Sequence, residues 1–411
     1  MKARKLLLSL ILTLPFAISH AQYFHVHMGH LVLAGNASQT EFLPFKNNGN
    51  SLQIGDTLVN ISDIDSIMVN LQDTASSEVE IAYDGNEAQV VLPVSLASTV
   101  KPEISGAYVT ITSVANGGND IVYTLSGKSE DGSFKMVGSY KCKVRLNGLT
   151  LNSTRGAAID IQNGKRIDVV LGDGTTNTLS DAPNGTQKAC FFVKGHPEFS
   201  NGGTLNIIGR SKHALATNEY LRFKKSTGTI CINKAASDAI HCGQYFNMEG
   251  GTLLVGDSVK GDGVQAEVTK DNTDEFNGQM FIKGGSITMT INGDDVKGLR
   301  SDSAMTISGG TIDITANGAG SRGIACDGNL VVNESDNSTS ITVRANGGVY
   351  TNPLDNTDTS KCMGIRVEGN MTVSAGTITV TATGKKAKTI KVVGRYTKTG
   401  TAVVNAADMD I

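Results

Sequence analysis

Residues 246–267 read FNMEGGTLLVGDSVKGDGVQAE, and this stretch decides the fold. It holds three short segments, FNM, GTLLV and GVQA, parted by glycine and aspartate turns. Segments this short, alternating between apolar and polar or small residues and bounded by Gly, Asn or Asp, are strand signals and not helical ones. The pattern recurs in both directions: GGTLNI at 202–207 and TGTICI at 227–232 lie before it, and GGSITM at 284–289, GGTIDI at 309–314 and AGTITV at 375–380 lie after it. Between these copies runs a second motif, one small residue followed by an apolar one. Its small residues are Ala158, Ala189, Ala214, Ala239, Gly263, Gly298, Gly323, Gly364 and Thr389, and five of the eight intervals are 24 or 25 residues. A fixed period of this length marks a solenoid. With three strands per period, the chain is expected to be all-β, a right-handed parallel β-helix with about 25 residues per coil.

Such a stack makes its own test, because strands about 4.8 Å apart align equivalent residues into ladders. One inward ladder is expected to read Ile159, Cys190, Leu215, Ile240, Val264, Leu299, Ile324, Ile365, Ile390, apolar at every rung. The next reads Ile161, Phe192, Thr217, Cys242, Ala266, Ser301, Cys326, Val367, Val392, smaller in its middle rungs, with Cys242 and Cys326 as small hydrophobes. On the Gly-Thr strand, Thr204, Thr229, Thr252, Ser286, Thr311, Ser340 and Thr377 form a polar outward ladder. Polar inserts at 271–277 and 346–360 lengthen two intervals, and such inserts loop out of a coil.

Outside the repeat, Lys2, Arg4 and Lys5 precede the apolar run LLLSLILTLPFAIS, and Ser19-His20-Ala21 supplies a small-residue cleavage site. Residues 1–21 therefore read as a signal peptide of a secreted or periplasmic protein. No later stretch approaches the ~20 apolar residues that span a bilayer. Residues 22–92 read as a small N-terminal β segment, 93–140 as a cap on the first coil, 141–396 as the β-helix and 397–411 as a tail. Removing the leader leaves 33 basic against 39 acidic residues, a net of about −6, which argues against nucleic acid as a partner. There are 47 glycines and no tryptophan. The six cysteines contain no CxxC pair, and most are expected in the core.

The run VRLNGLTLNSTRGAAIDIQNGKRIDVVLGDGTTNTLSD at 144–181, followed by GGT strands alternating with DAIHC and GDGVQAE, resembles an exported bacterial β-helix family of carbohydrate-binding proteins first recognised in a cellulose-degrading clostridium. The resemblance covers about residues 104–395. It implies a pectate-lyase-like fold, calcium, and binding of cellulose or acidic plant polysaccharide without cleavage. The family's Asp-Gly-apolar motif is kept at Asp262-Gly263-Val264, weakened at Asp238-Ala239-Ile240 and lost at Arg322-Gly323-Ile324. The stretch ending SDIDSI at 62–67 is similar to a leader segment of exported proteins in gut Bacteroidetes.

Two sets of candidate residues follow from the register. The turn before each small residue forms a ladder, Lys188, His213, Asp238, Asp262, Lys297, Arg322. Two carboxylates on adjacent rungs repel unless a cation lies between them or cations flank them, so Asp238 and Asp262, with Glu267, Asp294, Asp295 and Asp302 on the same flank, are candidate ligands for Ca²⁺. A surface zipper of Asp262 with Lys297 explains the same residues without an ion. His213, His241, Gln265, Lys297, Arg300 and Arg322 are the candidate carbohydrate contacts, with Arg366 further along the outward ladder. Arginine forks suit uronate carboxylates, and the lack of tryptophan disfavours the flat platforms used for neutral sugars. His25, His27 and His30 could bind metal, although strand alternation alone accounts for them. The expected function is non-catalytic, calcium-assisted binding of acidic or cellulosic polysaccharide by a monomer. The alternatives are a pectate-lyase-like lyase or glycoside hydrolase on the same scaffold, and a surface adhesin.

Overall fold

In Thr204–Gly209, Leu205 and Ile207 are buried while Thr204, Asn206 and Ile208 look outward, and this alternation generates the architecture. A computed structural model describes residues 23–36, 43–70, 77–115, 121–271, 273–335 and 338–411. Among them there is no α-helix, only strands, turns and isolated 3₁₀ turns. The chain is all-β and its long ladders are parallel. The proposed leader at 1–21 lies outside the described residues.

The chain passes repeatedly through three ladders in the same order. The first ladder runs from Ala107–Ser113 and Gly132–Val137 through Ile159–Gln162, Ala189–Val193, His213–Thr217, Ile240–Cys242, Val264–Ala266, Lys297–Ser301, Arg322–Cys326 and Met363–Val367 to Lys388–Val392. After Ile240–Cys242, for example, Tyr245–Met248 joins the second ladder, Thr252–Val259 joins the third, and Val264–Ala266 returns to the first. Leu215, Ile240, Val264, Leu299, Ile324, Ile365 and Ile390 align rung on rung, as do Thr217, Cys242, Ala266, Ser301, Cys326, Val367 and Val392. The Thr204 to Thr377 outward ladder is in register throughout.

One rung differs from expectation. Phe191, not Cys190, aligns with both Ile159 and Leu215; Val193, not Phe192, lies between Ile161 and Thr217; and Ala189, not Lys188, aligns with His213. Phe192 instead packs on the outer side with Ala189 and Ala216. The extra residues between Ala158 and Ala189 shift the strand by one, and Cys190 is as fully buried as an alanine would be there.

Inside the stack Phe191, Phe199, Phe223 and Phe246 meet edge to face, with centroids 5.9, 5.5 and 5.4 Å apart, the geometry that ring quadrupoles favour. Cys242 and Cys326 are buried small residues. The Gly-Gly-Thr turn explains its second glycine: Gly285 and Gly310 have φ of +87° and +90°, and a Cβ on either would lie 2.5 or 2.7 Å from the carbonyl oxygen of the glycine one rung below. Only glycine fits there.

An asparagine row was not anticipated. Asn317 Nδ2 donates to Asn292 Oδ1 (2.9 Å), Asn346 Nδ2 donates to Asn317 Oδ1 (3.0 Å), and Thr383 Oγ1 donates to Asn346 Oδ1 (2.9 Å). The insert that follows Asn346 forms an antiparallel hairpin, Val349–Asn352 with Asp355–Lys361, closed where Cys362 N–H donates to Gly348 O.

At the N-terminal end, Val79–Asp84 pairs antiparallel with Glu87–Pro93 and parallel with Ile121–Ser129. Phe24, Val26, Leu52 and Ile81 share one buried cluster with Tyr123, Phe134 and the ladders. Val100–Ser105 folds antiparallel onto Ala107–Ser113 and so pairs the edge of the first ladder.

Candidate functional site

The strands of the first ladder are three to five residues long around residues 213–301, so each turn residue stands directly beside its counterpart on the next pass. The backbone stitches these turns together. Asp262 N–H donates to Asp238 Oδ1 at 2.8 Å, and Lys297 N–H donates to Asp262 Oδ1 at 2.7 Å. Each carboxylate thus accepts the amide of the following rung, which places His213, Asp238, Asp262 and Lys297 in a row. The outward ladder beside it is His241, Gln265, Arg300 in the same register, with Ala325 and then Arg366 beyond.

Together these rows line an open groove of about 510 Å³. Nine of the twelve candidate residues face it: His213, His241, Gln265, Lys297, Arg300, Asp238, Asp262, Glu267 and Asp295. Three do not. Arg322 is buried behind Asp295, with its Nη1 3.6 Å from Asp295 Oδ1. Asp294 Oδ1 accepts the Ala319 N–H at 2.8 Å and serves the turn. Asp302 is engaged by Arg300 Nε at 3.1 Å. Sequence reasoning did not select Lys212 or Ser237, although each sits one residue before a member of the turn ladder, where a step back along the chain finds it.

The centre of the groove is the set His213, Asp238 and His241, whose ligand-capable atoms lie within 4.8 Å of one another. Both Nδ1 atoms are 3.1 Å from Asp238 Oδ2, and the imidazoles stack with centroids 4.5 Å apart. His241 Nε2 is 3.1 Å from Glu267 Oε2. Burial pushes the Asp238 carboxyl up, but the His213 and His241 hydrogen bonds outweigh it and hold the group well below the ordinary carboxylate range. Burial also holds His213 below the usual imidazole value, against the pull of Asp238. For His241 burial acts in the same sense, yet Asp238 and Glu267 together raise it. Asp262 is raised by burial and by the charge of Asp238, while burial lowers Lys297 despite Asp262 and Asp295. Arg300 reaches Asp262 Oδ2 at 3.6 Å and keeps a one-third exposed side chain toward the groove.

The calcium expected from the sequence calls for a set of oxygen donors. Ca²⁺ takes six to eight oxygen ligands, whereas the buried pair offers only four carboxylate oxygens, set among two imidazole nitrogens, two backbone amides and a guanidinium. The buried pair does not fit calcium in this arrangement. Glu267 and Asp295 are 51% and 41% exposed and keep oxygens toward the groove. His25 and His27 sit side by side on Tyr23–Met28, rings 6.2 Å apart.

On the second ladder an aromatic strip, absent from the sequence reading, lies around the corner from the groove. His196 packs on Tyr220 (4.7 Å), Tyr220 stacks on Tyr245 (4.8 Å, 15°), and Tyr245 meets Phe276 and Phe281 edge on. The interval of 25 residues between Tyr220 and Tyr245 is its signal in the sequence.

A family model described as a carbohydrate-binding domain-containing protein matches residues 105–408. A curated relative with the same description, from Acetivibrio thermocellus, is 24% identical over 119 residues, covering 26% of this chain and 42% of the relative. The chain thus matches less than half the length of that relative. A solved structure titled as the polysaccharide lyase-like protein from C. thermocellum, a gadolinium derivative, aligns over 81% of this chain and 99% of its own at 17% identity and a TM-score of 0.44. Among the described residues no helix is long and apolar enough to cross a membrane.

Proposed function

Because the chain belongs to the carbohydrate-binding domain family through residues 105–408, we propose that its groove binds an acidic, uronate-containing polysaccharide without cleaving it. The observation that carries this reading is the gathering of Lys188, Lys212, Lys297 and Arg300 with Asp238, Asp262, Glu267 and Asp295 in one open groove. Cations at both ends of the acidic row, Lys188 and Lys212 before it and Lys297 and Arg300 after it, supply a fork and ammonium groups for sugar carboxylates, and exposed carboxylates accept sugar hydroxyls. The passes through the three ladders are read as coils of a right-handed parallel β-helix, so that a polymer lying along the stack meets one rung after another. In this reading the protein is exported by its leader and acts as a monomer. Calcium enters it between a sugar carboxylate and the exposed oxygens of Glu267 and Asp295, not at the buried Asp238–Asp262 pair. A cellulosic target is the second reading, for which the half-buried strip from His196 to Phe281 would supply apolar contact by its ring edges, since the faces of Tyr220 and its neighbours pack on one another.

Incubating the full chain with polygalacturonate, and separately with cellulose, tests the proposal. Retention is measured with calcium or with chelator, and absorbance of unsaturated product and reducing ends are followed in parallel. Retention on polygalacturonate that weakens with salt, with no product, is expected. Product formation would make the protein a lyase or hydrolase, and failure to bind any glycan would leave an adhesin as the better reading.

A further inference from the structure

We infer that His213, Asp238 and His241 form a site for a transition-metal ion of the zinc class, with Glu267 orienting His241 from behind. This is independent of the glycan reading, because the ligands come entirely from the chain.

The donor set comes first. Two imidazole nitrogens and one carboxylate oxygen suit zinc and its neighbours, whereas calcium and magnesium prefer oxygen alone. Two of the three donor separations agree: zinc–nitrogen and zinc–oxygen bonds of about 2.0–2.1 Å in a tetrahedron put neighbouring donors about 3.3 Å apart, and each Nδ1 lies 3.1 Å from Asp238 Oδ2. The two imidazole ligand atoms lie within 4.8 Å of each other, and the imidazoles, stacked at 20°, turn on binding so that both lone pairs meet the ion.

The hydrogen-bond pattern then raises a difficulty that a cation removes. His213 Nδ1 is 3.3 Å from the Asp238 backbone N–H, placed to accept it, and also 3.1 Å from Asp238 Oδ2. One nitrogen cannot accept from the amide and donate to the carboxylate together. If it accepts, its lone pair faces an anionic oxygen inside a buried pocket, where His213 is 5% and Asp238 10% exposed. A metal ion shared by the two atoms turns that repulsion into ligation, the nitrogen's single lone pair passing from the Asp238 amide to the ion. His241 presents the same problem from its other side: both ring nitrogens face carboxylates, Nδ1 toward Asp238 and Nε2 toward Glu267. A neutral imidazole has one N–H. With that proton on Nε2 donating to Glu267, Nδ1 is left free to ligate, which is the carboxylate–histidine–metal relay found around protein-bound zinc. Three protein ligands leave a coordination position for water or for an anionic ligand in the groove.

The test uses the full chain stripped with chelator and titrated with Zn²⁺, and with Co²⁺ as a coloured probe, in the absence of any sugar. One equivalent of Zn²⁺ should bind, and Co²⁺ should give the intense visible bands of a tetrahedral site. His241→Ala should abolish this binding. Since that change could disturb the stack, Glu267→Gln is the companion: its side chain is half exposed, and it should weaken zinc about 10- to 100-fold with the unfolding midpoint of the metal-free chain unchanged. Absence of stoichiometric zinc binding, zinc binding unaffected by both substitutions, or displacement of zinc by millimolar calcium would each overturn the assignment. Because no glycan is present, these outcomes are distinct from failure of the carbohydrate reading.

Discussion

Replacing Arg300 by alanine is expected to weaken polygalacturonate binding by one to two orders of magnitude. Arg300 spends its Nε on Asp302 (3.1 Å) and only loosely approaches Asp262 with Nη1 (3.6 Å), so guanidinium N–H groups remain to fork a sugar carboxylate. Hydrogen bonds to charged groups contribute about 1.5–3 kcal/mol, and each 1.4 kcal/mol is tenfold in affinity, which gives a loss of about 10- to 100-fold. Arg300→Lys keeps the charge but loses the fork, and should fall between the two. Removing the guanidinium also strips a cation from Asp262, which is 8% exposed, so part of any loss could arise from a disturbed fold. The double variant Asp262→Asn/Arg300→Ala removes that uncompensated charge and should regain stability without regaining affinity. Affinity electrophoresis in polygalacturonate gels at low and high salt reads the binding, and denaturant titration reads the fold. If Arg300→Ala migrates as the parent chain does at low salt, the groove is not the uronate site and the reasoning is refuted.

Other expectations concern the frame that holds the groove. Phe223→Ala should cost about 3–5 kcal/mol in denaturant unfolding, since Phe223 is fully buried between Phe199 and Phe246; a loss under 1 kcal/mol would mean that the ring column does not set the core. Gly310→Ala should destabilise by about 1–3 kcal/mol, because φ there is +90° and the new Cβ would meet Gly285 O at 2.7 Å, whereas an unchanged unfolding curve would show that the turn can adjust. Glu198 gives a pH signature. Burial raises its pKa, but hydrogen bonds from Lys224 and Tyr220, with Arg222 nearby, bring it below the ordinary glutamate value. A depressed folded pKa gives stability that is present above the unfolded value and lost as pH falls through the folded one. Glu198→Gln should therefore melt below the parent at pH 7, with the gap closing under acid; a gap indifferent to pH would contradict the assignment.

How far the sequence could be read depended on which physical signal each feature left. The inward ladder from Leu215 to Ile390 was legible because alternation and a near-constant interval must agree at every rung if a core is to run through the stack. The same logic slipped by one residue at Cys190 and Phe192, since Ala189 and Cys190 are both small and only the geometry of the preceding turn decides between them. The groove was largely legible because its residues hold fixed offsets from that core: Asp238, Asp262 and Lys297 two residues before an inward rung, His241, Gln265 and Arg300 one after. What lay hidden was the partner of each charge. Asp238 and Asp262 looked like a bare acidic pair, yet backbone amides and imidazoles engage them. Arg322 looked like a groove cation, yet it lies buried behind Asp295, itself in a left-handed turn with φ of +52°. The asparagine row was hidden because its steps are unequal, 25, 29 and 37 residues, whereas the aromatic strip did leave a signal, the 25-residue step from Tyr220 to Tyr245, which the search for aliphatic rungs passed over.

The asparagine row has a use in engineering. Its third member, Asn346, stands at the mouth of the Val349–Lys361 hairpin, and is clamped on one side by Asn317 and on the other by Thr383. Cys362 closes the neck of the hairpin on Gly348, so the pairing of Met363–Val367 with its neighbours starts afresh beyond it. A foreign peptide spliced between Gly348 and Cys362 would then be displayed outside the scaffold without changing how the following passes align.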